Sequence, residues 1–160
     1  MSLAMYKVFF QRTPAKDIYA AVGRYTPPSH VVRPPPANYS HLAVIPANHR
    51  IAFASGQLGI APDGSIPDSV EEQTRLCFQN ALNVIHGAGM TSDDLVKINA
   101  YVTSREYLPA YMTVRDTFVA TPPPASTLMV VSGFAREEFK VEVEIIAARA
   151  SPNAFPVNQG

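Results

Sequence analysis

The clearest pattern in the chain lies near its C-terminal end, where Val141, Val143 and Ile145 alternate with Lys140, Glu142 and Glu144. Successive strand side chains point to opposite faces, so residues 139–148 are predicted to form a half-buried strand. Residues 95–103 repeat the pattern, with Val96, Ile98, Ala100 and Val102 set against Lys97, Asn99, Tyr101 and Thr103. Two short apolar runs, 39–44 and 50–55, are joined by Pro46, Ala47, Asn48 and His49, a connection of hairpin length that predicts antiparallel pairing. Residues 126–132 read as a further strand. The period changes to 3.6 between residues 70 and 88, where Val70, Cys77, Ala81, Val84, Ile85 and Ala88 share one stripe. Ser69 and Glu72 have the spacing of a capping box, and Gly89 stands where a left-handed residue ends a helix. A second helix is expected over 108–119, with Pro109 in its first turn and Tyr111, Val114, Arg115 and Phe118 at helical spacing; Pro122, Pro123 and Pro124 stop it. Upstream, residues 6–10 suggest a strand and 14–22 a short helix capped by Thr13.

From residue 39 the order is ββαβαββ, which predicts an α+β sheet with two helices packed on one face. The other face carries Glu142, Glu144 and Ile146, partly polar and partly apolar, and a face of that kind is commonly covered by another subunit. A homo-oligomer is therefore expected. The domain organisation follows: a proline-rich N-terminal extension (1–38), one domain (39–150) and a tail (151–160).

Thirteen basic and thirteen acidic residues balance, so no long-range field recruits nucleic acid or an anionic membrane. No apolar run reaches the roughly 20 residues of a spanning helix, and no signal-peptide pattern opens the chain, which leads to an expected cytoplasmic location. The single cysteine, Cys77, excludes an internal disulfide framework and sits on the apolar helix stripe, as a packing residue does. Histidines and cysteines lack metal-ligand spacing and no glycine-rich phosphate loop is present, so neither a metal nor another cofactor is expected.

The candidate chemistry lies on the polar face of the last strand. Glu142 and Glu144 are about 7 Å apart at two-residue spacing, on a rigid element. Such a pair is ordinarily a solvated strand face; it becomes a general-base site only where an electrophile is held beside it. Gly56, in Ser55, Gly56 and Gln57, follows a predicted strand and marks a turn, a bulge or a close approach of backbone to a ligand.

These features appear together, in order, in one family. Tyr39 and Ser40; Ser55, Gly56 and Gln57; the helix up to Gly89; Asp94, Leu95, Val96 and Lys97; Pro124, Ala125 and Ser126; and Val141 through Glu144 resemble the RidA (YjgF) family, many of whose members hydrolyse reactive enamines and imines. The resemblance implies a chorismate-mutase-like homotrimer with small-molecule pockets at the subunit interfaces. It implies that Glu142 is the catalytic glutamate that positions the attacking water, and that Tyr39, Gly56, Ser126 and Leu128 fall at substrate-binding positions. In deaminating members an arginine at the place of Ser126 holds the substrate carboxylate. A serine hydroxyl is one neutral donor in place of a charged fork, and losing a charge-assisted contact costs on the order of 1.5 to 3 kcal/mol. His41 likewise stands where glutamine is frequent, and Arg33, Arg75 and Arg136 are candidate replacement cations.

Three functions are compatible with this reading. The first is an imine or enamine hydrolase acting on a substrate other than the usual 2-imino acids. The second is a trimeric metabolite-binding protein without turnover. The third, RNA cleavage or inhibition of translation, is disfavoured by the neutral charge and the lack of a basic or aromatic stripe.

Overall fold

The computed structural model describes residues 22–27 and 29–151. The predicted strand at 6–10, all but the last residue of the predicted helix at 14–22, and all but the first residue of the tail lie outside them. Strand β1 (Gly23–Tyr25) pairs with β2 (Leu42–Val44) in a two-stranded ribbon. The main sheet has the order β3–β6–β4–β5, with β3 at His49–Leu58, β4 at Leu95–Val102, β5 at Ala125–Val130 and β6 at Val141–Ala150. β6 runs antiparallel to both neighbours, and β4 runs parallel to β5. Helices α1 (Val70–His86) and α2 (Leu108–Arg115) cover one face. The architecture is the predicted α+β arrangement in the predicted order.

The core forms where both periodicities meet. Val141, Val143, Ile145 and Ala147 of β6 and Ile98, Ala100 and Val102 of β4 are fully buried against Cys77, Phe78, Ala81 and Ile85 of α1. Phe78 stacks on Phe118 with ring centroids 5.1 Å apart and lies 6.2 Å from the Tyr111 ring, which locks the two helices together. Cys77 is a packing residue: its thiol donates to the Val141 carbonyl at 3.4 Å, and burial pushes its pKa up to about 12. Among the described residues no helix is long and apolar enough to cross a membrane.

Four local expectations are corrected. The runs at 39–44 and 50–55 do not form a hairpin. β3 is ten residues long and finds a full-length partner in β6, while three-residue β2 pairs with β1; the turn at Asn48 (φ 65°) passes the chain toward β6, where Ser151 donates to the Asn48 carbonyl at 2.9 Å. Val84 is 50 % exposed, because the buried arc of α1 runs through Phe78, Ala81 and Ile85 toward its end. The capping box is half made: Ser69 Oγ accepts from the Glu72 N–H at 3.2 Å, but its own proton goes to Glu71, and Glu72 turns to Arg75. α2 ends at Arg115, where the Thr117 hydroxyl donates back to the Val114 carbonyl at 2.7 Å and tightens the last turn.

Candidate functional site

Alternation along β6 turns Glu142, Glu144 and Ile146 away from the helices, and pairing with β4 chooses their neighbours. Tyr101 is the register partner of Glu142, and Asn99 that of Glu144. Glu144 Oε2 accepts from the Tyr101 hydroxyl at 3.2 Å and lies 3.4 Å from Asn99 Nδ2. Glu142 is half-buried and has no hydrogen-bond donor of its own among the described residues. Desolvation, with the Glu144 charge second, raises its pKa above the usual carboxylate value.

Gly56 explains how Glu142 fits. The β3–β6 register shifts between Ala54 and Gln57, a bulge that brings the Gly56 backbone beneath the Glu142 side chain. A Cβ placed on Gly56 would lie 1.7 Å from Glu142 Oε1 and 2.7 Å from its carboxyl carbon. Only a residue without a side chain leaves room for that carboxylate. Gly56 and Glu142 therefore form one unit: a partly desolvated acceptor cradled by backbone on one side.

The remaining predicted site residues lie elsewhere in the chain. Ser126 and Leu128 are register partners of Ile98 and Ala100, so they share the helix-facing side of the sheet, opposite to Glu142. Tyr39 stands beside the same edge strand: the following residue, Ser40, bridges to Ala125 and donates its hydroxyl to the Pro123 carbonyl at 2.7 Å. Tyr39 also meets His41 edge to face at 5.7 Å. The candidate residues thus form two groups, Gly56 with Glu142 near the middle of the sheet and Tyr39, Ser126 and Leu128 on the β5 edge.

An open cleft of about 350 Å³ lies on the Glu142 side of the sheet, at its Ile146 end, between β2 and the main strands; His41, Leu42, Phe53, Lys97 and Ile146 line it. Lys97 Nζ donates to Thr127 Oγ1 at 2.6 Å, and desolvation lowers its pKa. Of the candidate cations, Arg75 lies on α1 beside Glu72, and Arg136 is held by Glu138 at 2.6 Å in the loop before β6. Neither joins the Glu142 face. Among the described residues no group of three or more His, Cys, Asp and Glu side chains could hold a metal ion.

Sequence reasoning missed the Asn99, Tyr101 and Glu144 arrangement. Alternation had placed all three on polar faces, but which strand lies beside β6, and in which register, is a tertiary fact.

The Endoribonuclease L-PSP family model matches residues 31–149. The chain belongs to this family, the RidA/YjgF group. Among curated relatives, the mitochondrial protein mmf2 of Schizosaccharomyces pombe is 31 % identical over 100 residues, covering 61 % of this chain and 79 % of its own. TdcF of Escherichia coli, named as a candidate reactive intermediate deaminase, is 29 % identical over 63 % of this chain and 81 % of its own. The crystal structure of TdcF with bound serine superposes with a TM-score of 0.59 at 27 % identity, over 62 % of this chain and 81 % of that one. YyfB of Yersinia pestis, a Rid-family protein, shares the fold with a TM-score of 0.68 at 23 % identity, over 80 % of this chain and 98 % of that one.

Proposed function

We propose that this RidA/YjgF protein is an imine or enamine hydrolase in which Glu142 positions and deprotonates the attacking water, and that its substrate differs from the usual 2-imino acids. One observation carries this reading: a half-buried carboxylate without a hydrogen-bond donor, its pKa raised toward the range useful to a general base, in a space kept open by Gly56. The names of the deaminase-like relatives agree with it.

The two groups of candidate residues supply the second part of the proposal. We infer that the protein is a homotrimer whose pockets lie between subunits, with the Gly56 and Glu142 unit of one copy facing the Tyr39, Ser126 and Leu128 edge of the next. The face to be covered is apolar where it is not acidic: Ile51 is 48 %, Phe53 76 % and Met129 45 % exposed. Light scattering at micromolar concentration is expected to give the trimer mass; a monomer would sink this part.

Ser126 favours an alternative in which the same pocket binds a metabolite without turnover. Ammonia release from freshly generated 2-iminobutanoate decides between them. The native protein is expected to be slow, Ser126→Arg to be faster by roughly tenfold or more as a charge-assisted contact returns, and Glu142→Gln in that background to be inactive. A folded Ser126→Arg protein with no ammonia release would favour the binding protein.

A further inference from the structure

Gln73 of α1 is 1 % exposed, and a buried amide is destabilising unless its donors and its acceptor are bonded. Its recorded partners are all backbone groups outside the helix. Nε2 donates to the Pro67 and Glu138 carbonyls, each at 2.8 Å, and Oε1 accepts from the Lys140 N–H at 2.8 Å. Asn80 lies about two turns further along the same helix and is half-buried. Its Nδ2 donates to the Leu58 carbonyl at 3.1 Å and to the Ile60 carbonyl at 3.0 Å. Gly59 lets this loop lie against the helix, since a Cβ there would come within 2.6 Å of the Gln73 Cα. Between the two amides, the Cys77 thiol reaches the carbonyl of Val141, the residue before Glu142.

These bonds gather where the ladder between β3 and β6 runs out. Beyond the bulge at Gly56 only two register pairs remain, Gln57 with Val143 and Leu58 with Glu142. The Glu142 rung thus has a break on one side and the end of the ladder on the other. Ile60 and Lys140, which a continuing register would set opposite each other, are bonded by Asn80 and Gln73 instead. β4 holds β6 along its length, whereas β3 is an edge strand with β6 as its one neighbour in the main sheet. The Gly56 end of β3 is therefore the part that needs a second anchor.

We propose that Gln73 and Asn80 are positioning residues of the site: from the far side of the sheet they tie the end of β3 and the start of β6 to one helix, and so keep Gly56 beneath the Glu142 carboxylate. The inference deepens the hydrolase reading, on which it rests, and neither amide touches substrate. The seat is tight, because the space that a Cβ on Gly56 would fill is already taken by Glu142 Oε1. A displacement of about 1 Å is enough to spoil the placing of a catalytic group. Loss of either amide frees the β3 end, and the carboxylate leaves a desolvated seat for a wetter one.

Carbon-13 NMR of the full chain labelled at glutamate carboxyls reads Glu142 directly, with Glu142→Gln identifying its signal. Gln73→Met and Asn80→Leu keep side-chain bulk and remove the bonds. Phe118→Leu, which loosens the stack on Phe78, is the comparison for lost stability alone. The Glu142 midpoint lies above 4.5 in the native protein; it is expected to fall toward that value in both amide variants and to stay in place in Phe118→Leu. In the Ser126→Arg background, where the hydrolase reading expects turnover of 2-iminobutanoate, either amide variant should lower kcat by roughly tenfold or more and leave KM within about twofold. An unmoved midpoint would overturn the assignment for the residue concerned, and an equal fall in Phe118→Leu would overturn it for both. Half-buried Asn80 keeps the test open should Gln73→Met fail to fold. The midpoints need no turnover, so the two readings fail separately: a fall in the amide variants without ammonia release from Ser126→Arg would remove the hydrolase and leave the positioning role, while ammonia release with unmoved midpoints would do the reverse.

Discussion

The two faces of β6 are built from one strand and meet different fates. Toward the helices, Val141, Val143, Ile145 and Ala147 are at most 1 % exposed. On the other side, Glu142, Glu144 and Ile146 are half-buried, one carboxylate pinned by β4 and the other cradled on Gly56. The first face is finished within the chain: its neighbours come from α1, β3 and β4. The second retains exposed apolar surface and acceptors without donors, the condition of a surface that works with another molecule. Stability therefore resides on one side of the strand, and the chemistry proposed above on the other, and substitutions should separate them.

The largest effect is expected on the helix side. Ile145→Ala should lower unfolding free energy by about 2 to 5 kcal/mol, through lost burial and the cavity left behind. Urea denaturation checks it, and Ile146→Ala, one residue along, should cost far less in the separated chain. A loss at Ile146 as large as that at Ile145 would break the contrast between the faces.

An intermediate effect is expected at the bulge. Gly56→Ala places a methyl group where the Glu142 carboxylate lies. Because the group displaced is the end of a flexible side chain, the cost falls at the low end of overpacking, about 1 kcal/mol. The carboxylate must move, so thermal melting and ligand binding should fall together; Gly56→Ala in a Glu142→Ala background should recover most of the stability, because the obstacle is gone. A double variant no more stable than Gly56→Ala would show that the bulge backbone, not the carboxylate, requires glycine.

The smallest effect concerns charge. Glu142 has a folded-state pKa above its ordinary 4.5. A raised carboxyl pKa means that the folded state favours the protonated form, so the ionised group costs stability above the folded pKa and costs nothing below the unfolded one. Glu142→Gln should therefore melt above the native protein at neutral pH, with the difference shrinking as pH falls and vanishing below about 4.5. A melting difference independent of pH would contradict the assigned shift.

Much of this was legible in the chain. Period-two alternation predicted β4 and β6 with their inward residues, and period-3.6 spacing with Ser69 and Gly89 predicted α1. The errors share a cause. The runs around residues 42 and 50 suggested a hairpin because a short connection favours local pairing, but the longer partner of β3 comes from the far end of the sequence. Val84 fitted the helical stripe, yet the stripe is a property of the isolated helix, whereas burial depends on where the helix crosses the sheet. Phe78, the centre of the aromatic stack, was overlooked for the same reason.

The sequence by itself determined which residues are strand and helix, which of them face inward, and that Glu142 and Glu144 share a polar face, because these depend on side-chain direction along a single element. The family motifs pointed to Glu142 and Gly56 together. Only the tertiary structure decided that Gly56 lies beneath the Glu142 carboxylate, that Tyr101 and Asn99 hold Glu144, and that Ser126 and Leu128 turn to the opposite side of the sheet. These are contacts between strands distant in sequence, set by register and by a bulge, and neither quantity is encoded in the periodicity of any one strand.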